Sequence, residues 1–227
     1  MKLSVVIPVY NEIKTIGAII ESILAQKTID KEIIIVDDFS RDGTREYLKS
    51  LSAPSVKVYF HEKNIGKGGA IRTGLDHMTG DAVIIQDADL EYDPAEYGIL
   101  LKPIIEGKTK VVYGSRFLGN RNEGPYFTHY LATILLNLMV RLLYGAKITD
   151  EATCYKLFTK EVIESVTLKC ERFEFCPEVT AKVLKKGYKI IEVPISYNGR
   201  TFDEGKKINW RDGVEAIWTL IKYRFTD

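Results

Sequence analysis

The feature that most constrains the fold is an alternation of short, unbroken apolar runs with segments of helical spacing. Residues 2–9 (KLSVVIPV) form one such run, followed by Ile16, Ile19, Ile20, Ile23 and Leu24 at helical intervals. Residues 32–38 (EIIIVDD) are too short and too β-branched for a helix and read as a second buried strand. The rhythm continues with a strand at 56–61, a glycine-containing loop at 64–69 opening a helix to about 77, a strand at 81–86, a helix from Pro94 to Ile105, and a strand at 110–114. Strands that are apolar almost throughout, each followed by a helix, predict an α/β fold. Its central sheet is mainly parallel, covered on both faces and joined by right-handed crossovers.

The later part of the chain reads differently. Residues 126–144 carry Leu131, Ile134, Leu135, Leu138 and Leu142 along one side, and no formal charge interrupts residues 124–140 if His129 is neutral. The stretch is at the lower edge of a spanning length and is broken by polar residues, so a transmembrane helix is not expected. Two readings stay open: a helix lying in a membrane interface, and a helix packed on the core. Helices follow at 175–186 and 212–225. A strand at 188–197 contains Pro194, which marks an edge or a bulge. Trp210 and Trp218 belong either to the core or to the same interfacial surface.

Composition excludes several classes. The 227 residues, 45% hydrophobic and 28% charged, suit a single large α/β domain. A net charge of +1 lacks the basic excess of a nucleic-acid binder, so no nucleic acid is expected. Lys185, Lys186, Lys189, Arg200, Lys206, Lys207 and Arg211 cluster late in the chain, either as a solvated face or as a phosphate-facing loop. Cys154, Cys170 and Cys176 have no metal-ligand spacing and read as packed free thiols in a reducing compartment. The first residues read as a strand rather than a secretory leader.

Acidic residues gather where strands end. Asp37 and Asp38 close the second strand, and Asp87 and Asp89 follow the fourth. Ligands of open parallel sheets bind outside the carboxyl ends of the strands, so both pairs are expected on one crevice. Crowded carboxylates there suit a divalent cation that also takes substrate phosphates. Capping of loops and helices is the alternative use, strongest for Asp37. The loop Asn64–Ala70 (NIGKGGA) reads either as a phosphate cradle, with Lys67 adding charge, or as a plain helix start.

Taken together, VVIPVYNE (5–12), IIIVDDFSRDGT (33–44), NIGKGGAIRTG (64–74) and DADLE (87–91) resemble family 2 glycosyltransferases of the GT-A fold. GSRF (114–117), TDEATCYKLF (149–158), EVPISY (192–197) and RTFDEGKK (200–207) are most similar to the dolichyl-phosphate mannose synthase and polyprenyl-phosphate glycosyltransferase branch. The resemblance implies one GT-A domain, Rossmann-like. Residues 1–117 form its nucleotide-sugar half, and 118–227 form an acceptor-side extension with the amphipathic helix. It further implies Pro8, Tyr10 and Glu12 along the nucleoside, with Val36 and Asp38 beside base and ribose. Lys67, Asp87, Ala88 and Asp89 lie at the nucleotide. Asp89 and Glu91 hold Mg²⁺ or Mn²⁺. Arg116, with His129 as the nearest second candidate, meets the acceptor phosphate, and Arg200 and Lys206 close over the phosphates. Glu178 falls in a helix facing the same cleft. Mannose synthases often carry glutamine at the position of Glu91, and glycine is usual where Phe39 stands.

The implied reaction moves a hexose, with inversion, from GDP-mannose or a UDP-sugar to a polyprenyl or dolichyl phosphate. The alternative acceptor is a saccharide hydroxyl. A lipid acceptor implies a cytoplasmic protein, peripheral on the membrane surface through helix 126–144.

Overall fold

In the computed structural model of the protein, each β-branched run becomes a strand. The structure describes residues 1–118, 127–199 and 210–226, with only the backbone of 127–130. The first four strands are β1 (Leu3–Val9), β2 (Lys31–Asp37), β3 (Val56–Phe60) and β4 (Ala82–Ile85). They pair in parallel, in register, with Val5 opposite Ile33 and Ile84. Every residue of β1 is buried. Such a strand can be apolar throughout because both faces of the sheet are covered.

The helices follow the expected alternation. They are α1 (Ile16–Ala25), α2 (Thr44–Ser50), α3 (Lys67–Asp76) and α4 (Tyr97–Ile105). Helix α1 buries Ile16, Ile19, Ile20 and Ile23, the stripe its spacing foretells. Helix α4 follows one tight turn at Pro94–Glu96, where the Asp93 carboxylate accepts from the Ala95 amide at 2.9 Å.

Beyond β5 (Val111–Ser115) the sheet departs from the expectation. A strand not anticipated from the sequence, β6 (Lys156–Thr159), inserts antiparallel between β4 and β5. A short helix α6 (Lys160–Ser165) follows it. With β7 (Ile190–Pro194), the order is β3-β2-β1-β4-β6-β5-β7. The sheet is therefore mostly parallel, with one reversed strand. Strand β7 lies at the edge, where Pro194 removes no ladder bond needed by a further neighbour.

The remaining helices are α5 (Phe127–Tyr144), α7 (Phe175–Lys185) and α8 (Trp210–Phe225). They build a second, smaller apolar cluster from Leu136, Val140, Ile148, Ala181, Ala216, Leu220 and Tyr223. The Tyr144 hydroxyl donates to the Leu220 carbonyl at 2.6 Å, tying α5 to α8. The stripe Leu131, Ile134, Leu135, Leu138 and Leu142 points outward, which decides against core packing for that side of α5. Trp210 and Trp218 are exposed as well, 75% and 62%. No helix among the described residues is long and apolar enough to cross a membrane.

Candidate active site

Parallel pairing of β1, β2 and β4 brings their carboxyl ends to one edge, above which a cavity of about 1310 Å³ opens. Pro8, Tyr10 and Glu12 line it from β1 and the loop after it. Asp38 lines it from β2, and Asp87, Ala88, Asp89 and Glu91 from the segment after β4. Arg116, just past β5, lines it too. Val36 does not: its side chain is fully buried and faces α3 at Gly74, so it cannot reach a ligand in the cleft. Asp37 is also buried, accepting from the Ser40 amide at 3.3 Å beside Arg45 at 3.4 Å. It orders its own loop, as the capping alternative has it.

Asp38 is an organiser of the glycine loop. Its carboxylate accepts from the amides of Ile65 (2.9 Å) and Gly66 (2.7 Å) and meets His61 Nδ1 at 2.8 Å. The next amides, Gly68 and Gly69, donate to the carbonyls of Arg172 (2.9 Å) and Glu171 (3.0 Å). Four amides of this loop, those of Ile65, Gly66, Gly68 and Gly69, are thereby already engaged, which leaves little of the cradle its glycines offered. Lys67 does not project freely either. Its ammonium pairs with Asp87 at 2.5 Å and lies 3.6 Å from Cys154 Sγ. Burial alone would lower the Lys67 pKa, but Asp87 holds it well above the usual lysine range. Burial, and then the Asp87 charge, raise the Cys154 thiol well above the usual thiol range.

The other two acids differ. Asp89 accepts from the Glu91 amide at 3.1 Å, and the Tyr197 hydroxyl donates to Glu91 at 3.0 Å. Arg116 is held from below by Asp150, through Nε and Nη2 at 2.7 Å each, with Tyr197 against its guanidinium face at 4.9 Å. That bidentate fork occupies two of the five donors. Asp150 belongs to a motif quoted above, yet nothing in one sequence couples it to Arg116, 34 positions away.

Beside this pair, Glu151 is fully buried. Its Oε1 accepts from Thr180 at 3.2 Å, while Oε2 has no hydrogen-bond partner among the described residues. Burial pushes its carboxyl up to about 7, against the pull of Lys156. Glu178 is likewise buried and is absent from the cavity wall. It accepts from the amides of Lys169 (2.8 Å) and Cys170 (2.6 Å) and pairs with Lys182 at 2.5 Å, a structural knot rather than a cleft residue. The three cysteines are free thiols, two of them buried.

The cavity has a mostly apolar wall as well. Ala132, Leu135 and Leu136 of α5 and Val214 and Ile217 of α8 continue its lining, together with Thr133 and Asp212. Arg172 and Phe173, which sequence patterns did not single out, also line it. Arg200 and Lys206 lie outside the described residues, as does the side chain of His129.

The model of the family described as Glycosyl transferase family 2 matches residues 4–167. Dolichol-phosphate mannosyltransferase of Pyrococcus furiosus is 30% identical over 211 residues, 91% of this chain and 59% of that protein. UDP-N-acetylglucosamine--dolichyl-phosphate N-acetylglucosaminyltransferase of Methanococcus voltae is 28% identical, across 95% of this chain and 93% of that one. Undecaprenyl-phosphate 4-deoxy-4-formamido-L-arabinose transferase of Photorhabdus laumondii is 30% identical over 90% of this chain and 62% of that one. The chain thus spans about three fifths of the first and third of these relatives and nearly all of the second. Among solved structures, glucosyl-3-phosphoglycerate synthase from Mycobacterium tuberculosis, in complex with Mn²⁺, uridine-diphosphate and phosphoglyceric acid, superposes with a TM-score of 0.75. That match has 19% identity and covers 100% of this chain and 79% of the other. It bears out the expected GT-A fold. A sheet edge bearing Asp38, Asp87 and Asp89 in one cleft, and a family match over well more than half of the residues, lead to one statement: the chain belongs to glycosyl transferase family 2.

Proposed function

We propose that the protein transfers a hexose, with inversion, from a nucleotide-sugar to a polyprenyl or dolichyl phosphate. One observation carries the reading: a single cavity is lined by Asp87, Asp89 and Glu91, by a mostly apolar wall of α5 and α8 (Leu135, Leu136, Val214, Ile217, with Thr133 and Asp212), and by Arg116. A substrate pair that is anionic at the reacting centre and greasy at one end fits that lining. The names of the three relatives, each a transferase acting with a dolichyl, dolichol or undecaprenyl phosphate, support the same class.

The donor set suits Mg²⁺ or Mn²⁺. Such ions bind through one or two carboxylates together with substrate phosphates. Asp89 and Glu91, which line the cavity, are the carboxylates that would hold the ion, as the family resemblance implies. When bound it would neutralise charge on the leaving diphosphate. Pro8, Tyr10, Glu12, Asp38 and Ala88 would line the nucleoside, and Arg200 and Lys206 would close over the phosphates.

The chemistry balances without a strong base. A phosphomonoester has a second pKa of about 6, so the acceptor oxygen is already anionic near neutrality. That oxygen forms a new bond to the anomeric carbon as the bond to the diphosphate breaks, and the nucleoside diphosphate leaves with the electron pair. The three Arg116 N–H groups not used by Asp150 would orient the incoming phosphate, aided by His129. A saccharide hydroxyl would instead need a positioned base. Glu151 has a pKa in that range, but its carboxyl is sealed from solvent.

The outward apolar stripe of α5, with Trp210 and Trp218 of α8, would hold the cleft at the membrane surface, where the lipid phosphate lies. Incubation with labelled GDP- and UDP-sugars, Mn²⁺ and polyprenyl phosphate should give a lipid-linked sugar phosphate labile to mild acid. Transfer to a saccharide alone would overturn the acceptor assignment. The protein should also co-float with anionic vesicles, and failure to do so would remove the surface assignment.

A further inference from the structure

The glycines at 66 and 68 admit a second stretch of backbone. A Cβ built on Gly66 would stand 2.3 Å from the Glu171 carbonyl oxygen, and one on Gly68 2.9 Å from that of Arg172. No side chain fits there. The loop seated against them is pinned from its other side too. The amides of Glu171 and Arg172 donate to the Glu174 carboxylate at 2.6 and 3.0 Å, and those of Lys169 and Cys170 donate to Glu178. A run of four residues thus has its backbone fixed by two buried or half-buried acids and by the start of α3.

What this seat presents to the cavity is Arg172. Four cations line the described cavity: Lys63, Lys67, Arg116 and Arg172. Lys67 is matched by Asp87 and Arg116 by Asp150. Arg172 makes no ion pair or side-chain hydrogen bond with any described residue, although both its backbone polar groups are engaged. A planar guanidinium with a fixed Cα is suited to bidentate phosphate recognition, since less freedom is lost on binding. Its Cγ lies 3.1 Å from the Cβ position of Gly66, whose amide is bonded to Asp38, so it stands on the side of the cleft built by β2 and β3. Apolar lining comes from α5 and α8, and also from Phe173, Phe175 and Pro177 beside Arg172.

We propose that the glycine loop is a seat that aims Arg172, and that Arg172 binds a phosphate of the nucleotide donor. This rests on the donor reading given above.

Calorimetric titration of UDP and GDP, each with Mn²⁺, into wild type, Arg172→Met, Gly68→Ala and the double variant tests it. The nucleotide that wild type binds should bind Arg172→Met about tenfold or more weakly. Gly68→Ala should weaken it in the same direction although Arg172 is retained, and the double variant should be no weaker than Arg172→Met alone. Arg172→Lys, which keeps the charge and loses the fork, should fall between. It stands in if Gly68→Ala does not fold. Farnesyl phosphate, a lipid phosphomonoester, should bind wild type and Arg172→Met alike. Unchanged nucleotide affinity in Arg172→Met sinks this inference alone, and a selective loss of farnesyl phosphate reassigns Arg172 to the acceptor. If wild type binds neither nucleotide, the donor reading fails and this one with it.

Discussion

The two ends of the same sheet set acidic side chains in different surroundings. At the amino end, Glu32 is enclosed by partners: Ser4 Oγ at 2.7 Å, the Thr79 amide and hydroxyl at 2.6 and 2.8 Å, the Gly80 amide at 3.1 Å, and Lys2 and Lys57 at 3.2 and 3.4 Å. Burial would raise its pKa, but hydrogen bonds from Ser4, Thr79 and Lys2 bring it down to about 2. At the carboxyl end, Asp87, Asp89 and Glu91 border a large cavity. The described non-glycine residues with positive φ, Asn11 (53°) and Phe39 (68°), also lie at this end, just after β1 and β2. One end is built for stability. The other carries charge facing a cavity and local backbone strain, the pattern of a ligand site.

That contrast breaks most readily at Asp89. Asp89→Ala should lower turnover on the order of 1000-fold, equivalent to several kcal/mol of lost transition-state stabilisation, with little change in melting temperature. The metal-dependent part of any nucleotide-induced thermal shift should vanish with it, and its survival would show that another group holds the ion. Glu32→Gln should do the reverse, reducing stability by about 2–3 kcal/mol in denaturant titration while the folded enzyme keeps its turnover. A loss of activity in the folded Glu32→Gln protein would mean that the two ends are coupled.

Acid sharpens the same comparison. Because the folded Glu32 pKa lies below its unfolded value, its contribution is fully present above about pH 5 and is lost as pH falls toward 2. Wild type should therefore lose its advantage over Glu32→Gln across that window, and parallel curves would exclude Glu32 as the cause. The smallest effect belongs to Phe39. Left-handed backbone is costly for a residue with a Cβ, while stacking with Arg41 at 4.8 Å returns part of that. Phe39→Gly should stabilise by up to about 1 kcal/mol, or roughly 2–4 °C in melting temperature.

Legibility in the sequence followed the range of the forces involved. Strands β1 to β5 and helix α1 were readable because burial on both faces or on one stripe writes a local pattern. Strand β6 is four residues long and owes its existence to its neighbours β4 and β5, so no local period announces it. The carboxylates of the cleft were legible because strand ends are legible. Their partners were not: Lys67 on Asp87 and Asp150 under Arg116 are tertiary meetings. The glycines at 66 and 68 do permit close approach of another group. What approaches them is the backbone of residues 171 and 172, and a run of glycines does not distinguish a phosphate from a carbonyl. Val36 and Glu178 failed for a related reason, since a strand or helix position fixes a direction only once its neighbours are known.

The reversed direction of β6 has a consequence for how such a chain can diversify. Strand β5 exits at the rim of the cavity, and β6, running the other way, starts from that same rim. The excursion between them therefore has both its ends anchored at the cavity. Lengthening or rewriting it would change that wall of the cavity, while the β3-β2-β1-β4 platform keeps its register.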